Sequence, residues 1–200
     1  MSSVLRFSAI ISSFAPSPPA AYNGLGGMSH LRRIISRGQI RRRVKELAAQ
    51  IRADYSGQRP VFVCVLKGAF VFLADLVREV DLPLEIDFMA ASSYDMEKTS
   101  KGHITILKDI TTDITGRPVI LVDDIIDSGL TLQHLRDYLA SRQPASLRVC
   151  ALLARERALV AGTVIEYLGF TVPDDFLVGY GLDYAQQHRQ LPDIYAIEDE

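Results

Sequence analysis

Three carboxylates, Asp123, Asp124 and Asp127, fall within five positions directly after an aliphatic run at 119–122. Such a run is typical of a strand buried on both faces. Carboxylate oxygens bind magnesium and accept hydrogen bonds from sugar hydroxyls. Asp127 together with Ser128 could merely cap a helix, but that reading leaves the other two carboxylates unexplained. Their mutual repulsion would be costly without a cation or hydroxyl donors, so the spacing predicts a binding site.

The residues after the carboxylates have the chemistry of an anion site. Ser128, Gly129, Leu130 and Thr131 precede leucines at helical spacing, so they are predicted to form a helix N-terminus. Free backbone N–H groups and the helix dipole attract phosphate there, and a glycine lets the backbone approach closely. No Gly-x-x-x-x-Gly-Lys occurs, which excludes a Walker-type loop. A receiver domain also clusters carboxylates but would not need the Ser-Gly-Leu-Thr segment. We therefore predict a sugar phosphate held with magnesium.

The elements that would position this loop alternate along the chain. Helices are predicted over 40–55, 70–80 and 132–139, and strands over 61–66, 84–91, 103–107, 119–122, 147–153 and 164–170. The polar segment 95–102 is predicted to be a mobile loop between two strands. This alternation indicates an α/β fold with a largely parallel sheet. Ligands of open α/β sheets bind at the carboxyl ends of the strands, where the acidic loop falls.

Composition is that of an ordinary soluble enzyme with one main domain: 200 residues, 48% hydrophobic and 23% charged. The net charge is -2, so no basic field indicates nucleic acid or an anionic membrane as a partner. No apolar run approaches the roughly 20 residues that span a bilayer, and we expect a cytoplasmic protein. Cys64 and Cys150 lie in aliphatic runs and are predicted to be reduced core thiols, and the four scattered histidines form no metal pair.

The first 27 residues differ in kind from the rest. They contain Arg6 as their single charged residue, and the first acidic residue is Glu46. This Ser-rich, acid-poor composition allows a transit or signal segment, and an upstream extension or a misassigned start fits as well. We treat residues 1–27 as a disordered or non-core extension and residues 28–200 as the domain.

The acidic loop resembles the phosphoribosyl pyrophosphate motif of the hypoxanthine-guanine phosphoribosyltransferases. Segments 65–70, 92–94 and 172–192 also resemble that family, in the same order, so the likeness extends over residues 30–198. Four ordered motifs are specific together, although each alone is only suggestive. The resemblance implies a type I phosphoribosyltransferase fold, a parallel sheet flanked by helices with a small hood over the purine. It also implies transfer of 5-phosphoribosyl to a 6-oxopurine in purine salvage, Mg²⁺ as cofactor, and a homodimer or homotetramer.

By this resemblance, phosphoribosyl pyrophosphate is bound by Lys67, Gly68, Asp123, Asp124, Asp127, Ser128, Gly129, Leu130, Thr131 and Arg189. Asp123 and Asp124 would hold the ribose hydroxyls and a magnesium ion. The loop 127–131 would bind the 5-phosphate. Lys67 and Gly68, in a turn with a non-proline cis peptide, would bind pyrophosphate with Arg189. Ser93 and Tyr94 would belong to a lid over the reacting sugar.

The resemblance also assigns the purine pocket, to Ile125, Arg155, Phe176, Leu177 and Asp183. Phe176 would stack on the base with Ile125 on its other face, and the Leu177 backbone would read the base edge. Asp183 would help to hold a second magnesium ion. Asp127 would face purine N7 as the catalytic general acid and base. By residue type alone Phe176 and Ile125 are more often core residues; their order with the acidic loop reverses that preference.

Arg155 departs from the family, which has a lysine that donates to the purine 6-oxo group at this position. Arginine keeps the cationic donor but is longer, planar and forked, so the change is not neutral. Glu156 beside it is a candidate ion-pair partner. The preference among hypoxanthine, guanine and xanthine is therefore open.

Two other classes of protein fit part of this pattern. A non-catalytic regulator that senses phosphoribosyl pyrophosphate would more often lack the Asp127 carboxylate, and segment 176–183 argues against an adenine or orotate transferase.

Overall fold

The structure, a computed structural model, describes residues 30–94 and 103–198. The predicted extension at 1–27 and the predicted loop at 95–102 lie outside these ranges. The side chains of Ser93 and Tyr94, assigned to the lid, lie outside them as well, although their backbone ends a strand.

Strands and helices alternate through the described ranges. The elements are β1 His30–Ile35, α1 Arg37–Asp54, β2 Val61–Leu66, α2 Phe70–Val80, β3 Glu85–Tyr94, β4 His103–Lys108, β5 Pro118–Ile126, α3 Leu130–Ala140, β6 Ser146–Arg155, α4 Glu156–Val160, β7 Tyr167–Val172, β8 Leu177–Val178 and β9 Ile194–Glu198. The predicted α/β class is confirmed.

A six-stranded sheet forms the centre, in the order β4-β3-β2-β5-β6-β7. Neighbouring strands from β3 to β7 run parallel, and β4 alone pairs antiparallel, with β3. Because β5 lies between β2 and β6, its carboxyl end is flanked by the ends of both neighbours. The turn after β2, the acidic loop after β5 and the segment after β6 thus meet at one edge of the sheet.

Both faces of the central sheet are buried, which explains the continuous aliphatic runs. Along β2, Phe62 and Cys64 pack into the cluster formed with α1 and α2, whereas Val61 and Val63 pack into the cluster formed with α3. Successive residues of a strand point to opposite faces, so every position of β2 needs an apolar side chain. As predicted, Cys64 and Cys150 are buried free thiols, and burial raises the pKa of Cys64 to about 12.

A second sheet of three antiparallel strands, in the order β1-β9-β8, stands apart from the central one. We call this sheet, with the segment 173–176 that leads into it, the hood. Ion pairs at the surface join its parts to one another: Arg32 pairs with Glu198 and, at 2.9 Å, with Asp175. The Asp193 carboxylate accepts a 2.6 Å hydrogen bond from the backbone N–H of Arg37, at the start of α1.

Three strand boundaries differ from the prediction. β5 continues through Asp123 and Asp124 to Ile126, because β6 goes on pairing with it beyond the aliphatic run. β3 likewise continues to Tyr94, paired with β4. β7 begins only at Tyr167, and Val164 before it is 59% exposed. Within the described ranges no helix is long and apolar enough to cross a bilayer.

Candidate active site

A cavity of about 450 Å³ opens at the carboxyl edge of the central sheet, beneath the hood. It is lined by Val65, Leu66, Lys67, Gly68, Asp123, Asp124, Ile125, Asp127, Arg155, Phe176, Leu177, Leu182, Asp183 and Arg189. Eleven of the seventeen site residues predicted from the sequence are therefore in this lining. Ser128, Gly129, Leu130 and Thr131 follow Asp127 in the chain and are not in this lining.

The Asp123 and Asp124 carboxylates lie at the floor of the cavity. Asp123 is 8% exposed, and its Oδ1 accepts the backbone N–H of Asp124 at 3.0 Å. Burial raises the pKa of both carboxyls, and repulsion from Asp124 raises that of Asp123 further. The Arg189 charge acts in the opposite direction on the pKa of Asp124. Two negative charges at this place are costly, which favours a cation or hydroxyl donors beside them.

The turn after β2 packs directly on this pair. Its Leu66–Lys67 peptide is cis, in line with the turn expected from the resemblance. A Cβ at Gly68 would lie 1.5 Å from Asp124 Oδ2, so only glycine fits against that carboxylate. Gly181, with φ +103°, approaches from the other side, where a Cβ would lie 2.1 Å from the Gly68 carbonyl oxygen. The backbone of this turn and the carboxylate pair are thus held as one unit.

Arg189 and Asp183 form the wall above the turn. Arg189 Nη2 lies 2.6 Å from Asp183 Oδ1, and Nη1 donates to the Gly181 carbonyl oxygen at 2.7 Å. The Asp183 carboxylate also accepts the backbone N–H of Gln186 at 2.8 Å. Arg189 therefore pairs with an acid of its own segment and still lines the cavity.

The acidic loop leads into α3 as the sequence predicts. Gly129 is the N-cap residue, with φ 84°, and the helix has no side-chain cap hydrogen bond. The hydroxyl of Ser128 is 3.4 Å from the Leu130 N–H, a long contact. A Cβ at Gly129 would lie 2.2 Å from Thr163 Oγ1, so the loop is packed closely against the chain that precedes β7. Asp127 and Ser128 both precede the N-cap residue, and the Ser128 hydroxyl makes only this long contact with a first-turn amide. The backbone amides at a helix N-terminus are the groups that an anion site uses.

The upper wall carries the aromatic residue expected at a purine site. Phe176 is 53% exposed although it is a large apolar side chain. Its ring meets that of Tyr184 edge-on, with centroids 5.4 Å apart. Ile125 and Leu177 line the same cavity, Leu177 from the two-residue strand β8. An exposed aromatic face over a cavity suits a flat, polarisable ligand.

Arg155 reaches past the cavity and holds the hood. It is 8% exposed, Nη1 donates to the Pro173 carbonyl oxygen, and Nη2 donates to that of Asp175 at 2.6 Å. The Nε atom is buried without a hydrogen-bond partner in the described part of the chain. Glu156, the partner considered from the sequence, is not among these contacts; the lengthened, forked side chain instead finds the backbone of the hood.

Asp127 stands at the opening of the cavity and is 58% exposed. Its Oδ1 pairs with Arg157 Nη2 and lies 3.4 Å from Arg155 Nε. The carboxylate that the resemblance makes the general acid and base is thus held by two arginines from the end of β6 and the start of α4.

Comparisons with known proteins fit this geometry. The model of the phosphoribosyl transferase domain matches residues 33–185. This chain belongs to the phosphoribosyltransferase family. A hypoxanthine-guanine phosphoribosyltransferase of Aquifex aeolicus is 45% identical over 170 residues, which are 84% of this chain and 96% of the relative. A hypoxanthine phosphoribosyltransferase of Salmonella typhimurium is 46% identical over 161 residues, 80% and 90% of the two chains.

A solved structure shows the same fold. A hypoxanthine-guanine phosphoribosyltransferase of Bacillus anthracis superposes with a TM-score of 0.80 at 44% identity, over 84% of this chain and all of the other. The family and the type I fold inferred from the motifs are therefore confirmed for this phosphoribosyltransferase.

Two charged residues near the cavity of this phosphoribosyltransferase were missed by the sequence reasoning. Arg157 contacts Asp127, and it also lies 3.6 Å from Asp174 in the segment after β7. A signal was available, because each residue lies two positions beyond the carboxyl end of a parallel strand, at the edge of the sheet where the acidic loop also lies. Apolar Val65, Leu66 and Leu182 also line the cavity; nothing in their pattern separates them from core residues.

The donor set fits magnesium in this phosphoribosyltransferase. Within residues 30–94 and 103–198 no group of three or more His, Cys, Asp and Glu side chains is arranged to hold a metal. Magnesium does not require one, since it binds one or two carboxylates, several waters and the phosphates of its substrate. The buried Asp123–Asp124 pair could supply those carboxylates, and the metal role assigned to it stays a prediction. Asp183 is engaged with Arg189, and the second magnesium assigned to it stays a prediction.

Proposed function

We propose that this protein transfers the 5-phosphoribosyl group of phosphoribosyl pyrophosphate to a 6-oxopurine, releasing pyrophosphate and forming IMP or GMP. One observation carries the proposal. A single cavity is lined by a buried carboxylate pair, a carboxylate that leads into an uncapped helix N-terminus, and an exposed aromatic face. These features match, in order, the ribose with its metal, the 5-phosphate and the base. The relatives' names, hypoxanthine and hypoxanthine-guanine phosphoribosyltransferase, support the choice of bases.

Residues on the sugar side bind and orient the donor. Amides at the start of α3, with the hydroxyls of Ser128 and Thr131, hold the 5-phosphate. Asp123 and Asp124 accept from the ribose hydroxyls and hold Mg²⁺, which when bound neutralises charge on the departing pyrophosphate. The Lys67–Gly68 turn and Arg189 contact pyrophosphate. Ser93 and Tyr94 contribute to a lid that excludes water, which would otherwise hydrolyse the activated sugar.

Residues on the base side present the nucleophile. The purine lies between Phe176 and Ile125, with its edge on the Leu177 backbone. As a purine nitrogen bonds to the anomeric carbon, the bond from that carbon to pyrophosphate breaks. The base gives up its N7 proton to Asp127, whose Oδ2 is not engaged by either arginine. The proton and the leaving group thus depart toward different walls of the cavity.

Arg155 sets the base preference in this proposal. Its two terminal nitrogens donate to the hood, and the buried Nε–H, 3.4 Å from Asp127 Oδ1, has no hydrogen-bond partner within the described residues. A buried, unpaired N–H favours a ligand with an acceptor at that place, such as a 6-oxo group, over one with an amino group. The names of the relatives differ in the bases that they include. One relative, 38% identical with a TM-score of 0.74, is a hypoxanthine-guanine-xanthine phosphoribosyltransferase.

The oligomeric state and the cellular location are proposed on the basis of the same family. A relative from Trypanosoma cruzi, 35% identical with a TM-score of 0.80, was studied for its oligomeric state, and we propose a homodimer or homotetramer here. The reduced, buried thiols Cys64 and Cys150 suit a cytoplasmic enzyme.

The decisive experiment is a steady-state assay of the purified full chain with phosphoribosyl pyrophosphate and Mg²⁺. Hypoxanthine, guanine, xanthine and adenine are supplied in turn, and nucleotide formation is followed by chromatography. We expect IMP or GMP, no AMP, and loss of activity on chelation of the metal. No nucleotide from any base would overturn the proposal, and AMP as the main product would move the protein to another branch of the family.

A further inference from the structure

Four charged side chains form a closed set at the mouth of the cavity, in which each arginine faces each aspartate. Arg157 pairs with Asp127 and lies 3.6 Å from Asp174. Arg155 Nε lies 3.4 Å from Asp127 and 3.9 Å from Asp174. We call this set, Asp127, Arg155, Arg157 and Asp174, the charge ring. Its two positive and two negative charges balance.

The ring joins three separate parts of the fold. Asp127 belongs to the loop between β5 and α3, the two arginines to the junction of β6 and α4, and Asp174 to the hood segment. That segment also carries Phe176, the exposed aromatic of the base pocket. The ring therefore links the carboxylate proposed for proton transfer to the element proposed to stack on the base.

Stability is a poor explanation for the outer half of the ring. The side chains of Arg157 and Asp174 are 52% and 68% exposed. Ion pairs this open to solvent contribute little to folding, because water screens them and ordering two side chains costs entropy. The hood is in addition fastened by the buried Arg155 and by the hydrogen bond from the Arg37 N–H at the start of α1 to the Asp193 carboxylate next to β9.

The atoms that make these contacts indicate that the ring orients the Asp127 carboxylate. Both arginine contacts of Asp127 use Oδ1, which leaves Oδ2 for a ligand. Arg157 uses Nη2 for Asp127 and Nη1 for Asp174, so one planar guanidinium fixes the spacing of the two carboxylates. A proton acceptor has to be held at hydrogen-bond distance from the group that it serves.

We propose that Arg157 and Asp174 are positioning residues, which orient Asp127 and couple that orientation to the seating of the base under the hood. The inference rests on the proposed transfer reaction. Neither residue touches the substrate; both act through Asp127 and Phe176.

The test is a kinetic comparison of Arg157→Gln, Asp174→Asn and the double variant. We expect kcat to fall about tenfold and KM for the base to rise in each single variant, with KM for phosphoribosyl pyrophosphate within about twofold of wild type. Because both changes break the same ring, kcat of the double variant should be only slightly lower than kcat of the more impaired single variant. Arg157→Lys, which restores one charge-assisted contact, should recover part of kcat. The matched control is Arg142→Gln, which breaks an Arg–Asp pair beyond the far end of α3.

Three results would overturn the inference. A rise in KM for phosphoribosyl pyrophosphate alone would indicate that Arg157 binds phosphate. An increase in kcat would indicate that the contacts of the ring have to break during turnover. Additive losses in the double variant would remove the coupling. Thermal unfolding of each variant shows whether a loss of activity is a loss of fold. Inactivity of the wild type with every base would count against the proposed function, whereas active wild type with unaffected variants counts against the ring alone.

Discussion

The two walls of the cavity are held together by different interactions. On the sugar-phosphate wall the key groups are parts of the core: Asp123 and Asp124 extend a central strand, and Gly68 packs on Asp124 with no room for a side chain. On the base wall the key groups are held by the charged side chains of two arginines, one of them buried and the other half-exposed. Arg155 donates hydrogen bonds to carbonyl oxygens of the hood, and Arg157 forms an ion pair with Asp127, whose side chain is 58% exposed.

The difference indicates how each wall tolerates change. A group fixed by backbone packing cannot move without disturbing the sheet, so the sugar-phosphate wall should respond sharply to small additions of volume. A group fixed by ion pairs can be re-aimed by one substitution at little cost to folding. We expect base preference to vary in such a site while donor binding stays constant.

The largest effect is expected on the base wall, from Asp127→Asn. Asparagine keeps the shape of the side chain and an oxygen for Arg157 but cannot take up a proton, so kcat should fall by about 10²–10⁴ with both KM values little changed. The measurement is steady-state kinetics with hypoxanthine. Asp137→Asn, an amide change on the exposed side of α3, is the control. Near-wild-type turnover would remove Asp127 from proton transfer.

On the opposite wall, Gly68→Ala should act through volume alone. A methyl group would lie 1.5 Å from Asp124 Oδ2, so the carboxylate has to move by more than an ångström. Misplacement of that size costs about 10²-fold in rate, and we expect it in kcat/KM for phosphoribosyl pyrophosphate, with KM for the base nearly constant. Gly38→Ala serves as the control, since its nearest neighbour would be 3.9 Å away. Unchanged donor kinetics would show that the packing around Asp124 does not matter for binding.

The sequence predicted the sugar-phosphate wall better than the base wall, for a physical reason. An aliphatic run followed by Asp123 and Asp124 is contiguous, so spacing alone places those groups at the end of a strand. Arg157 and Asp174 are far apart in the chain, and pairing between β6 and β7 brings them together. No local pattern encodes that contact.

Strand ends were predicted less well than strand centres. Hydrophobicity marks where a strand is buried, whereas pairing decides where it ends. Thus β5 runs on through two aspartates because β6 still pairs with it. Residue type also did not reveal that Arg155 would bond the hood backbone, because that depends on where the Pro173 and Asp175 carbonyls lie.

A smaller effect on the base wall is expected from Arg155→Lys. Lysine is a single charged point and cannot bond both hood carbonyls as the guanidinium does. We expect the ratio of kcat/KM between hypoxanthine and guanine to change by up to about tenfold, while KM for phosphoribosyl pyrophosphate stays constant. Arg142→Lys, at the remote Arg–Asp pair, should leave the ratio unchanged. The same ranking of bases in Arg155→Lys would show that this position does not set specificity.

The smallest effect on catalysis is expected from a change at Asp87. This carboxylate is buried outside the cavity, and its pKa is shifted in the opposite direction to that of Asp123. Burial alone would raise its pKa, but hydrogen bonds from the backbone N–H groups of Thr112, Phe88 and Thr111 outweigh it, so the pKa of Asp87 lies well below its usual range. Asp87 Oδ2 accepts the Thr111 and Thr112 groups at 2.7 and 2.8 Å. Whereas the Asp123 charge is left without enough donors, that of Asp87 is satisfied within the fold.

A carboxyl whose pKa is lowered by folding stabilises the native state above its unfolded pKa of about 4, and this contribution is lost as the pH falls below that value. Asp87→Asn should therefore reduce the free energy of unfolding at pH 7 by about 1–3 kcal/mol and reduce its loss between pH 7 and pH 3. Denaturant unfolding at a series of pH values measures both, with Asp81→Asn, at the exposed end of α2, as the control. Kinetics at pH 7 should be unaffected in Asp87→Asn. An equal pH dependence in variant and wild type would show that the backbone donors around Asp87 do not stabilise its charge.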